Sequence, residues 1–255
     1  PYQFVHSKVM CWVALDRGVA IAERYGFPGD LAGWRRTMEE IRDEVLDRGF
    51  CDEKQAFVQH YGTTDLDATG LLIPLLGFLP VDDPRVVGTV EAIQKELGRD
   101  GFVYRYLGDD GLDGREGTFL LCTFWLVDCL VDLGRLDEAE SLLRGVERAA
   151  NHLGLFAEEY CPIWQEALGN FPQAFTHIGY INSVVRLVRA REGRREEPEP
   201  DLEDAARAFV RKKLLFRTAV LNEGEPQEAV SEEELARRLK TAMNRLRGAF
   251  FHTPE

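Results

Sequence analysis

Several things this chain lacks narrow its class at once. Its longest apolar run, "GLLIPLLGFLPV", falls far short of the roughly 20 residues a membrane span needs, and prolines interrupt it. No signal peptide is recognisable. Positive charge is in short supply: 31 Lys and Arg against 44 Asp and Glu give a formal net charge of -13 and a pI near 5.0. That balance argues against a nucleic-acid partner or an anionic membrane surface and suits a neutral small molecule. The 5 cysteines are odd in number and lack CxxC spacing. They read as reduced thiols in a cytoplasm, not as a disulfide framework. P-loop, GxGxxG, HExxH and HxxxH patterns are all absent, as is any His, Cys and carboxylate set with metal-ligand spacing, so no metal and no cofactor is expected. "GDDGLDGRE" has the wrong register and flanks for a calcium-binding EF-hand loop.

Strand alternation is also nearly absent, and helical periodicity fills the space. The pattern predicts helices at about Ser7–Tyr25, Asp30–Leu46, Asp67–Gly77, Asp83–Leu97, Glu116–Leu133, Leu136–His152 and Pro172–Arg191. Asp30 and Asp83 serve as N-caps, and Gly26, Gly98, Gly134 and Gly154 as stops. The helices alternate in character. "HSKVMCWVALDRGVAIAE", "LDATGLLIPLLGFL", "EGTFLLCTFWLVDCLVDL" and "FPQAFTHIGYINSVVRLV" are apolar on most faces. The three between them carry one apolar stripe and one charged face. A helix that is apolar all round is buried, and an amphipathic one lies outside it.

The connections alternate too. Inner-to-outer links are tight, as in "GFPG", "PVD" and "GR", while outer-to-inner links run over about 47–66, 98–115 and 154–171. Loops longer than about 12–15 residues in a compact domain are usually functional. With antiparallel neighbours, all three emerge on one face. The fold class expected is all-α: an (α/α) toroid of helical hairpins, with an α-solenoid of helix pairs as the alternative. After Arg191 the text changes to a charged, proline-bearing linker at 193–201. Amphipathic helical text follows at 202–255, opened in its second part by a capping box from Ser231 to Glu234. These helices either pack outside the toroid or begin another domain. The toroid portion is thus 1–192.

The face carrying the long loops bears Gln3–Lys8, Tyr61–Thr69, Gly101–Phe119 and the stretch from Leu155 to His177. Carboxylates, aromatics, Arg and His recur there, and no Ser or Cys stands in a nucleophile's setting. Paired carboxylates on an aromatic floor suit sugar chemistry, where one acid protonates the leaving oxygen and the other activates water. Other readings remain for single residues. Arg105 could pair Asp109 or Asp110, and His177, in apolar helical text, could be a satisfied core histidine. Trp12, Trp125, Cys122 and Cys129 read as core.

Four long segments, "FVHSKVMCWVALDR", "LDATGLLIPLLGFLPVDDPRVVGTVEAI", "YRYLGDDGLDGREGTFLLCTFWLVD" and "LFAEEYCP…LGNFPQAFTHIGYIN", together resemble the bacterial branch of the glucoamylase family, glycoside hydrolase family 15. The resemblance covers Pro1 to Arg191. It implies an (α/α)6 barrel of six helical hairpins, here partial, and hydrolysis of α-glucosidic bonds with inversion. The substrate is then an α-linked glucose saccharide, trehalose or a maltooligosaccharide, with a lean towards trehalose. Carried over by motif, Glu158 in "FAEEYCP" takes the general base and Glu159 is its supporting neighbour. Arg105 and Asp109 in "RYLGD" bind substrate hydroxyls. His177 stands where relatives place an aromatic that lines the site, and His6 and Lys8 stand near the rim.

The departure from the pattern is the general acid. The family carries it in a Trp-Glu-x-Arg motif a few residues ahead of "FVHSK", and this chain contains no such sequence. The expectation is therefore a C-terminal portion of a glycosidase barrel that lacks its acid and is inactive alone. It would leave apolar inner-helix surface for the rest of the barrel or a completing partner. The alternative is a non-catalytic helical module that binds sugar or a partner.

Overall fold

The computed structural model describes residues 2–108 and 116–193. The linker beyond Gly193, the extension at 202–255 and Asp109 lie outside the described residues.

Helix α1 runs Val5–Tyr25 and ends on Gly26 in the left-handed region (φ 65°), which a glycine adopts without steric cost. It turns into α2, Leu31–Arg48, whose N-cap Asp30 accepts the Gly33 N–H at 2.9 Å. The expected helix over Asp67–Gly77 is two short pieces, a 3₁₀ turn Ala68–Leu71 and α3, Leu72–Leu75. Gly70, Pro74 and Gly77 account for this: glycine weakens helix, proline brings no donor, and Gly77 turns left-handed at φ 81°. Helix α4, Pro84–Glu96, starts on Asp83 with proline at its first position, where no N–H is needed. Helix α5, Leu120–Asp132, turns at Gly134 into α6, Leu136–Glu147, and α7, Ala174–Arg191, follows.

The inner and outer division follows burial. In α5, nine of thirteen residues are buried, whereas α2 buries only Val45. At about 1.5–3 kcal/mol for each fully buried large apolar side chain, α5 anchors the fold. It packs between α3 and α7, with α6 across its outer side. Phe57, Phe78, Phe102, Phe124, Leu71, Leu79 and Ile93 fill the same core. Cys122 and Cys129 are buried in it, Trp12 lies against Phe78 with ring centroids 5.2 Å apart, and Trp125 packs half-buried at its edge. Helices α1 and α7 each leave apolar surface in water: Met10 and Ile21 on the first, Ile178, Ile181, Val185 and Val188 on the second. This is the partial toroid of alternating inner and outer helices that the sequence pattern predicts.

The long connections hold short strands that the pattern does not reveal. β1 (Phe50–Cys51) pairs with β2 (Ala56–Phe57), and β3 (Gly98–Arg99) pairs with β4 (Phe102–Val103). β5 (Thr118–Phe119), β6 (Glu159–Cys161) and β7 (Glu166–Leu168) form one antiparallel sheet in that order. At two or three residues each, they are too short to show alternation. One turn does carry a signal. "RDGF" turns through Asp100 (φ 52°) and Gly101 (φ 82°), the Asp-Gly pairing that a two-residue type I′ hairpin favours.

Candidate active site

Each inner helix begins at a junction where its first residues are tied to a long connection. Val5 N–H donates to Gln59 C=O at 3.0 Å, and Tyr61 N–H donates to Gln3 C=O at 3.0 Å, so the start of α1 is laced to the first connection. Ala68 N–H, opening the 3₁₀ turn, donates to Arg105 C=O at 2.8 Å. Leu120 N–H, opening α5, donates to Glu158 C=O at 3.2 Å. Gln173 N–H, before α7, donates to Phe156 C=O at 3.0 Å. The unpaired N–H groups of helix starts thus find their acceptors in the loops. The effect is to hold Arg105 and Glu158 beside the starts of inner elements, where His6 and Asp67 also stand.

Glu158 stands one residue before β6, half-buried. Its Oε2 accepts two hydrogen bonds from Asn170, one from the backbone N–H at 3.1 Å and one from the side-chain amide at 2.9 Å. Its Oε1 accepts none among the described residues. Glu159 begins β6, opposite Phe119 on one side and Leu168 on the other. Its Oε2 accepts the Gly117 N–H at 2.9 Å. Burial pushes the Glu159 carboxyl above its ordinary value. The Gly117 bond works against that rise, and the charges of Glu116 and Glu158 add to it. The two acids, adjacent in sequence, therefore have separate anchors.

Across the floor, Asp67 is buried and caps the 3₁₀ turn by accepting Thr69 N–H at 2.8 Å. Arg105 Nε lies 3.9 Å from its Oδ1. That is an ion pair without a hydrogen bond, and this Nε is buried and unsatisfied. His6 Nδ1 is likewise buried without a partner. Burial lowers the His6 imidazole below its ordinary value; Asp67 pulls it up and Arg105 down. Asp67, Arg105 and Glu159 all bear on the buried Cys122 thiol, which burial itself pushes well up. These electrostatic links place His6, Asp67, Arg105 and Glu159 in one neighbourhood. Buried polar groups are normally paired, and these two nitrogens stand without a hydrogen-bond partner among the described residues. Among the described residues no cluster of three His, Cys, Asp or Glu is arranged to hold a metal ion. No helix there is long and apolar enough to cross a membrane.

Two expected site residues have their polar groups engaged elsewhere. Lys8 Nζ pairs with Glu44 of α2 at 3.5 Å. His177 Nδ1 donates to Gln173 C=O at 2.7 Å, leaving Nε2 to accept the Phe156 N–H at 3.2 Å. Its polar atoms serve the backbone, and it can offer a ligand only its ring. Sequence reasoning passes over Asp67 and Asn170. Asp67 stands in "YGTTDLDAT" without a motif of its own, and Asn170 belongs to the Gly-Asn pair beside "FPQAF".

The chain is similar to known proteins over most of its length. The family model described as glycosyl hydrolases family 15 matches residues 1–136. A trehalase of Mycobacterium tuberculosis is 50% identical over 195 residues, covering 75% of this chain and 28% of that protein. A trehalase of Thermoplasma volcanium is 43% identical over 191 residues, 74% of this chain and 31% of that one. A continuous match of that length in a 255-residue chain necessarily includes Glu158, which the family model does not reach. The chain spans about three tenths of the length of these curated relatives. Among solved structures, a glycosidase in complex with glucose superposes with a TM-score of 0.63 at 21% identity, over 73% of this chain and 52% of that one. A bacterial glucoamylase complexed with acarbose gives 0.56 at 15% identity, over 75% and 34%. At such identities the likeness is one of fold.

Proposed function

The chain belongs to glycosyl hydrolase family 15, and from that membership we propose that it carries the general-base half of an inverting α-glucosidase site, with trehalose as the substrate. The observation that carries this reading is the state of Glu158. One carboxylate oxygen is fixed by two N–H donors, and the other accepts no hydrogen bond among the described residues. A carboxylate so held can take a proton from a water and aim that water at an anomeric carbon. The lean towards trehalose comes from the relatives, several of which are trehalases.

The remaining residues take supporting parts. Arg105, with Asp67 behind it and His6 beside it, contacts sugar hydroxyls through the exposed part of its guanidinium. Asp109 is assigned to substrate hydroxyls by its motif "RYLGD" alone. Glu159, whose carboxyl burial pushes above its ordinary value, is the supporting neighbour, held apart from Glu158 by its own bond to the Gly117 N–H. The ring of His177 lines the wall, and Lys8 holds the rim through Glu44. The proton donor is not among these residues, since no Trp-Glu-x-Arg sequence occurs in the chain. Protonation of the leaving group is typically worth about 10²–10⁴-fold in rate, so these 255 residues alone are expected to turn over little or no substrate. We also propose that residues 1–192 form one structural part, followed by a charged linker at 193–201 and a helical extension at 202–255.

Proton NMR of trehalose hydrolysis by the full-length protein that carries this sequence tests the reading. Inversion releases one β-glucose and one α-glucose from each trehalose, whereas retention releases only α-glucose at first. Glu158→Gln should abolish release while trehalose still binds in a calorimeter. Near-normal turnover by that variant would remove Glu158 from the role. Sugar binding without any turnover by the full-length protein would favour the non-catalytic module instead.

A further inference from the structure

We infer that Asn170, presented by Gly169, is the positioning residue of the candidate base; this rests on the reading of Glu158 as that base. Three hydrogen bonds join Glu158 and Asn170. Glu158 N–H donates to Asn170 C=O at 2.9 Å, and Asn170 returns its backbone and side-chain N–H groups to Glu158 Oε2. A carboxylate can only accept, so the amide end facing it is the NH₂ end. Both donors meet the same oxygen. They fix the rotation of the carboxylate and leave Oε1 for the water.

Gly169 makes the approach possible. Leu168 pairs with Glu159 in the ladder, so Gly169 and Asn170 together face the single Glu158, as in a β-bulge led by a left-handed glycine. Gly169 has φ 70°. A Cβ on it would stand 2.9 Å from Glu158 Oε2 and 3.0 Å from Glu158 Cβ. Both the conformation and the space exclude a side chain there. The bulge re-aims the end of β7 so that two donors converge on one acid, and bulges commonly do this beside active sites. An ordinary exposed glutamate would not be gripped from both backbone and side chain.

Positioning and mere scaffolding forecast different outcomes. In the full-length protein, Asn170→Ala should lower kcat on trehalose by about 10- to 100-fold, a fraction of a general base's full worth, and leave KM within about twofold. Asn170→Asp, of equal size, should lose at least as much kcat, since it places a negative charge where the donor was. A spectroscopic readout that needs no turnover accompanies these. In the ¹⁵N-labelled 255-residue chain, the Asn170 backbone and side-chain amide protons should resonate downfield, and Glu158→Gln should return both towards ordinary positions.

If Glu158→Gln abolishes turnover but both Asn170 variants keep kcat within twofold, the positioning role is overturned and the base survives. If kcat and KM worsen together with a drop in thermal stability, Asn170 is a structural residue and the inference also fails. Amide signals indifferent to Glu158→Gln overturn it as well. Full activity of Glu158→Gln removes the base itself, and Asn170 then has nothing to position.

Discussion

His177 Nε2 accepts the backbone N–H of Phe156, so the first turn of α7 holds the segment that leads, two residues later, to Glu158. The other ring nitrogen is spent on Gln173, four residues back along the chain. Phe156 is buried, and its ring meets the imidazole edge-on at 5.6 Å. His177→Phe keeps a ring of similar size and loses both bonds. It should cost about 1–3 kcal/mol of stability, because the Phe156 N–H is left buried and unpaired. Urea denaturation of this chain measures it. A loss of only a few tenths would mean that the ring contact, not the hydrogen bonds, holds the segment.

Asp128 makes stability depend on pH. Burial pushes its carboxyl up to about 6, against the opposing pull of Ser183 and Arg186. The Ser183 hydroxyl lies 2.7 Å from Asp128 Oδ1 and 3.3 Å from Phe124 C=O. It has one proton for two acceptors. When Asp128 is protonated it can donate to Ser183, which then serves Phe124. The folded value lies above the unfolded one, so this contribution is fully present below about pH 4 and is lost as pH rises through about 6. The size is about 2–3 kcal/mol at 1.36 kcal/mol per pH unit. Asp128→Asn should flatten stability between pH 4 and 7, and chemical denaturation across that range checks it. His6 contributes with the opposite sign. Its folded value is lowered, so its share is present above its ordinary value and fades as pH falls.

Buried threonines bind the hairpins to the helices. Val103 N–H donates to Thr123 Oγ1 of α5 at 3.0 Å, and Phe57 N–H to Thr89 Oγ1 of α4 at 2.9 Å. Thr123→Val preserves shape and removes the acceptor, leaving a buried backbone donor without a partner. The expected loss is about 1–3 kcal/mol. Faster amide exchange at Val103 should accompany it, and unchanged exchange there would argue against the bond.

Arg105→Lys tests the sugar-contact role. Lysine keeps the charge and loses the planar fork, and with it the Nε that stands unpaired beside Asp67. In the full-length protein we expect KM for trehalose to rise about tenfold, as for one lost hydrogen bond to a charged group, with a smaller fall in kcat. Steady-state kinetics distinguish this from a fall in kcat alone, which would place Arg105 nearer the reacting atoms.

The sequence by itself determined the alternation of buried and amphipathic helices, the tight turns at one end and the long connections at the other. These follow from local causes: helical periodicity, the caps Asp30 and Asp83, and the stops at Gly26 and Gly134. It also carried the family through motifs that keep their order along the chain, and with them the candidacy of Glu158. Only the tertiary structure decided what each acid touches. Glu158 and Glu159 read alike as neighbours. Their separate anchors, Asn170 and the Gly117 N–H, come from just past β7 and from the approach to β5, 12 and 42 residues away. Asp67 reads as one more loop acid until the 3₁₀ turn buries it beside Arg105 and His6. His177 could be read as site or core, and its two backbone partners settle what its nitrogens do. Pairings of this kind depend on how strands of two or three residues meet across long loops, and strands that short carry no period from which such a meeting could be read.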